Sequence, residues 1–156
     1  MTDYAMKHPP AIGHARTFVT GHNPGQTGHC LLYGPDTAGS LSVSVAKLKK
    51  DSQAPLHEYS REDETFYVIS GELDARVGDN HHTLRAGDAI FLPRGLRHRL
   101  RCLSDEAQVL MLIHRPGLEH FFDEVDQAIA NGPADPTKMQ EIAQRYGVTI
   151  FPDDEA

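Results

Sequence analysis

Between residues 29 and 114 turn-forming residues interrupt this chain roughly every six to twelve positions, and no helix-sized periodic stretch lies between them. Gly34-Pro35-Asp36, Gly71, Gly78-Asp79-Asn80, Gly87-Asp88 and Pro93 mark the breaks. The intervening segments are short and rich in β-formers, among them 29–33, 65–70, 89–92 and 107–114. Parallel strands need crossover connections of about a dozen residues or more, and there is no room for them. The pattern specifies an antiparallel sandwich or barrel of roughly eight to ten strands.

Alternation within the segments says which side chains face inward. Arg97, Arg99 and Arg101 alternate with His98, Leu100 and Cys102. Three arginines cannot lie unpaired inside a small barrel, so His98, Leu100 and Cys102 face the interior and the arginines form a solvated outer ladder. Leu73, Ala75 and Val77 alternate with Glu72, Asp74 and Arg76, and Leu41, Val43 and Val45 with Ser42 and Ser44, both half-buried strand signatures. Placing Glu64 inward with Phe66 and Val68 leaves Tyr67 and Ile69 as an apolar outer face. That face calls for a cover, either a second sheet layer, a helix or another subunit.

Residues 1–28 are rich in Gly, Pro and His and read as an irregular arm with one short strand near Arg16 to Thr20. After residue 116 the period changes. Leu118, Phe121, Phe122, Val125 and Ile129 share one helical face, and Asn131-Gly132-Pro133 ends that helix. Asp135 N-caps a second helix with Pro136 at its first position, Met139, Ile142, Ala143 and Tyr146 as its stripe, and Gly147 as its stop. The expected organisation is an arm (1–28), a β-barrel (29–116) and a helical segment (117–156) packed on the barrel, the helices also covering one mouth.

A length of 156 residues favours one domain. The net charge of −7 argues against a nucleic-acid partner. No apolar run approaches the roughly 20 residues that span a bilayer, so no membrane partner is expected. The N-terminal residues have no apolar core of a secretory signal, which points to the cytoplasm, with Cys30 and Cys102 as reduced thiols.

His57, Glu64 and His98 are the residues of chemical interest. Two imidazoles and a carboxylate aimed into one interior are costly unless paired or bound to a metal, and they suit a divalent transition ion. His81-His82 follow a hairpin turn and read as solvated; His8, His14, His22 and His29 share no ligand spacing.

The stretch from His57 to His98 resembles the two conserved motifs of the cupin superfamily. The first reads His57-Glu58-Tyr59, four residues, Glu64, six residues, Gly71; the second reads Gly87, five residues, Pro93-Arg94-Gly95, two residues, His98. The resemblance implies a double-stranded β-helix, or jelly roll, with one metal (Fe, Mn, Ni or Zn) held in its lumen by His57, Glu64 and His98. The C-terminal tail is similar to small single-domain cupins grouped with quercetin dioxygenases. Tyr59 stands where the family usually has a second histidine. Three arrangements stay open: a metal on His57, Glu64 and His98 alone, a metal with Tyr59 as phenolate, or no metal and a Tyr59–Glu64 hydrogen bond. Glu58 would replace a ligand only through a bulge.

The family resemblance implies a metal-dependent, dioxygenase-like enzyme acting on an aromatic or oxygenated small molecule. Glu64 serves there as ligand and proton acceptor and Tyr59 as an orienting hydroxyl, with Phe66, Leu100 and Cys102 as the pocket wall. An inert core thiol is the other reading of Cys102. The alternative function is a non-catalytic binding protein, a sensor or carrier. A homodimer is expected from the Tyr67/Ile69 face and from the resemblance.

Overall fold

The computed structural model describes residues 10–13, 16–18, 25–130, 132–133 and 135–152, so His8, His14 and His22 lie outside the described residues. The strands are β1 (Arg16–Phe18), β2 (Gln26–Leu32), β3 (Leu41–Lys49), β4 (His57–Tyr59), β5 (Asp63–Ser70), β6 (Glu72–Val77), β7 (Asn80–Arg85), β8 (Ala89–Leu92), β9 (His98–Cys102), β10 (Glu106–His114) and β11 (Val148–Ile150). The helices are α1 (Leu118–Ala130) and α2 (Pro136–Arg145). Two antiparallel sheets face each other, one ordered β1-β2-β3-β10-β5-β8 and the other β11-β4-β9-β6-β7. This is the jelly roll the motif spacing implies.

The residue 28/29 boundary falls inside β2, which pairs with β1 and β3. Gly71 makes the sharp link from β5 to β6: its φ is +85°, and a Cβ there would sit 2.4 Å from the Glu106 carbonyl oxygen. The Gly78-Asp79 turn joins β6 to β7 as a two-residue hairpin, with Val77 opposite Asn80.

The core between the sheets is built from Val68, Leu73, Leu92, Val109 and Ile113 among others, closed by Leu118, Phe121 and Val125 of α1. On β9 the sequence alternation holds, with His98, Leu100 and Cys102 buried. Its outer arginines are less solvated than a free ladder: Arg97 lies over the Phe151 ring at 4.0 Å, Arg99 is half-buried, and Arg101 pairs with Asp51 at 2.6 Å. Long arginine stems cover apolar surface, and the charged heads of Arg97 and Arg101 find partners.

On β3 the side chains run opposite to hydropathy. Ser42 and Ser44 are buried, while Leu41, Val43 and Val45 are only half-buried. The register explains the inversion, because Ser44 lies opposite Met111 and Ser42 opposite Ile113, so small inner residues meet large ones. Val43 and Val45 lie opposite Leu112 and Leu110 on the outer face. They extend the apolar surface of Tyr67 and Ile69, which are 44% and 42% exposed.

Both helices form where the periodicity places them. The Asp135 side chain caps α2 by accepting from the Thr137 backbone N–H at 2.9 Å. Gly147 turns the chain with φ +69°, a conformation that favours glycine. The chain then returns as β11, beside β4, an element absent from the sequence reading. Among the described residues no helix is long and apolar enough to cross a membrane. Cys30 and Cys102 are both free and buried.

Candidate metal centre

The antiparallel pairing of β4 with β9 sets His57 directly opposite His98, and so on one face. Their ring centroids are 4.4 Å apart. Glu64 comes from β5 in the facing sheet. Several contacts bring the two motifs together. The Gly95 N–H donates to the Tyr59 carbonyl at 2.7 Å. The Arg94 N–H and Nε both donate to Asp63 Oδ1 at 2.9 Å. The Arg94 guanidinium, with the Arg94 backbone N–H, holds the Asp63 carboxyl well below the usual carboxylate range. The residue before Glu64 is thereby tied to the turn before His98.

One ligand atom from each of His57, Glu64 and His98 lies within 4.8 Å of the others. Glu64 is 1% and His98 3% exposed, and His57 is half-buried. Each imidazole is oriented by its own backbone: His57 Nδ1 donates to the Pro55 carbonyl at 2.8 Å and His98 Nδ1 to the Leu96 carbonyl at 2.9 Å. Carbonyl oxygens only accept, so both rings carry Nδ1–H, which assigns coordination to Nε2. His98 Nε2 then faces Glu64 Oε2 at 3.0 Å, two electron-rich atoms that need a second proton or a cation between them. Burial disfavours the charged imidazole, but the hydrogen bond and charge of Glu64 outweigh it and raise the His98 pKa. Two oriented Nε2 atoms and a buried carboxylate fit a divalent ion.

Tyr59 lies beside both imidazoles, with ring centroids 4.9 Å from His57 and 5.5 Å from His98. Burial first, then the charges of Glu64 and Glu62, push its phenol well above the ordinary value. In metal-free protein it is therefore a neutral hydroxyl. Glu58 stands on the outer side of β4, opposite Thr149.

These groups form one wall of a cavity spanning about 660 Å³ of space, open solvent at its mouth included. Phe66 and Leu100 line it, joined by Leu48, Val109, Met111 and Phe122. No Lys or Arg is among its described lining residues. Cys102 is not among them either. Four residues beyond His98, it lies about 13 Å further along the strand, where its thiol donates to the Leu48 and Ser104 carbonyls. Gln26 and Thr27 of β2 also line the cavity, and the sequence carries no signal for them. Phe122 was legible as part of the helical stripe, though not as a cavity wall.

Residues 44–114 match the Cupin domain family. Protein SchB of Streptomyces halstedii is 31% identical over 109 residues, covering 65% of this chain and 79% of that one. Polyketide synthase CurC of Streptomyces cyaneus is 27% identical over 127 residues, covering 75% and 82%. The structure of the polyketide cyclase RemF from Streptomyces resistomycificus superposes with a TM-score of 0.53 at 19% identity, covering 73% and 80%, and shares the fold.

Proposed function

This chain belongs to the cupin superfamily, and from that premise we propose that it is a metal-dependent enzyme acting on a neutral, oxygen-bearing, largely apolar small molecule of polyketide type. The observation that carries the reading is the donor set itself: two imidazole nitrogens and one carboxylate within 4.8 Å, on one wall of a mostly apolar cavity. A multiply charged anion finds no guanidinium or ammonium among the described lining residues to neutralise it. The names of CurC and RemF supply the compound class, whose 1,3-related carbonyl oxygens match a site with one polar wall.

A divalent metal (Fe, Mn, Ni or Zn) held by His57, Glu64 and His98 would act as a Lewis acid on a carbonyl or enol oxygen. The chain's own residues supply the rest. The Glu64 carboxylate is the acceptor for a proton from the carbon between two carbonyls. Tyr59 keeps its proton and donates to a second substrate oxygen, which fixes orientation. Phe66, Leu100, Met111 and Phe122 exclude water and hold the apolar body.

A dioxygenase is the second reading, favoured by a two-histidine, one-carboxylate set of the kind that suits non-haem iron. A non-catalytic carrier is the third. Metal analysis followed by incubation with flavonols, catechols and aromatic 1,3-diketones, with and without oxygen, separates them. Turnover without oxygen supports the first, stoichiometric oxygen uptake the second, and binding without turnover the third. Metal content well below one equivalent after expression in supplemented medium overturns the metal-dependent readings.

We also propose that two copies associate through the outer face of the six-stranded sheet. Val45, Leu110 and Tyr67 form one row across it, and Val43 and Leu112 the next, with Phe91 59% exposed at the edge. A two-fold axis matches such a face to itself.

A further inference from the structure

We propose that a second, smaller chamber on the far side of His57 is a specificity pocket for a short apolar substituent of the ligand; this rests on the reading of His57, Glu64 and His98 as a ligand-binding centre. The chamber spans about 320 Å³ of space, open solvent at its mouth included. The two share Ala54, His57, Tyr59 and Phe122, so they meet at the candidate metal centre rather than at a remote surface. Its own walls are Pro55, Phe121, Val148 and Ile150. Every one of these is apolar, and among the described lining residues only the shared His57 and Tyr59 carry polar side chains.

The placement follows from the C-terminal return of the chain. Ile150 lies directly opposite His57 and Val148 opposite Tyr59, so β11 flanks the two residues that divide the chambers. Phe121 packs on Tyr146 with ring centroids 6.0 Å apart, and the Tyr146 hydroxyl donates to Glu124 at 2.6 Å, which ties α1 to the end of α2. The chamber is therefore walled by rigid elements on two sides. A ligand oxygen at the centre would leave one end of the molecule facing Phe66 and Met111 and the other facing Val148 and Ile150.

The test uses 1-phenyl-1,3-butanedione and its two next longer alkyl homologues as probes, with binding measured by calorimetry on protein of known metal content. Each methylene that enters the chamber should tighten binding about four-fold, so about ten-fold or more over the series. Val148→Phe fills the chamber and should abolish that increment while the shortest homologue binds as before. Ile150→Thr, at a position 41% exposed, keeps the strand propensity and should at least halve the increment, which covers a Val148 variant that fails to fold. Crystals under xenon, which seeks dry apolar cavities, should show an atom in the chamber of the wild type and none in Val148→Phe. An unchanged increment in both variants, or no xenon in the wild-type chamber, overturns the proposal while leaving the parent reading intact. Failure of every diketone to bind removes the parent reading, and this proposal with it.

Discussion

The two sheets share one interior but present opposite exteriors. The outer face of the five-stranded sheet is charged: Asp74 takes the His81 ring at 2.8 Å, Arg85 pairs with Glu72 at 2.9 Å, and Arg101 with Asp51 at 2.6 Å. The outer face of the six-stranded sheet carries Val43, Val45, Tyr67, Leu110 and Leu112, with no such pairing in its centre. The candidate centre draws on both, His57 and His98 from the charged-backed sheet and Glu64 from the apolar-backed one. A sheet that meets water outside has its register written in alternating polarity. A sheet that is apolar on both faces does not, and its register is set by neighbours.

The sharpest way to break the pairing of the sheets is at the buried polar link between His98 and Glu64. His98→Ala removes the partner of a carboxylate that is 1% exposed and should cost metal-free protein about 3–5 kcal/mol in urea unfolding, as well as metal binding. Retained metal binding would show the donor set to be wrong. The next effect separates the exteriors. Tyr67→Asp with Ile69→Asp should convert a sedimenting dimer of 17.3 kDa chains to single chains, whereas Arg85→Glu should leave it intact. Equal behaviour of the two variants would remove the distinction.

A smaller effect follows the proton between the sheets. In metal-free protein the His98 pKa is raised in the fold, so its contribution is complete below the unfolded imidazole value of about 6.5 and is lost as pH rises through the folded value. The stability advantage of wild type over His98→Ala should shrink on going upward through that window, and parallel curves would contradict it. The smallest effect belongs to the solvated face. Arg101→Ala breaks a pair whose side chains are 47% and 63% exposed and should cost less than about 1 kcal/mol in the same assay.

Legibility in the sequence followed the same division. The Arg97–Cys102 alternation placed His98 inward correctly, because three charges have one low-energy side. The helix stripes were equally clear, and α1 and α2 lie where they predict. On β3 polarity misleads: the serines are inside because Met111 and Ile113 fill the space opposite. Cys102 faces inward by the alternation rule, yet distance along the strand removes it from the cavity wall. β11 is three residues long, and its role becomes visible only once Gly147 has turned the chain back to β4.

By itself the sequence determined an antiparallel barrel, two helices after it, and three metal-suited side chains sharing one interior. Turn chemistry, side-chain period and the cost of burying charge are local properties that a linear string records. The tertiary structure alone decided which nitrogen of His98 meets the carboxylate, which faces of the six-stranded sheet are inner and outer, and that Phe122 of α1 and residues of β2 wall the cavity. Those depend on contacts between segments far apart in the chain, where the shape of one element selects the conformation of another.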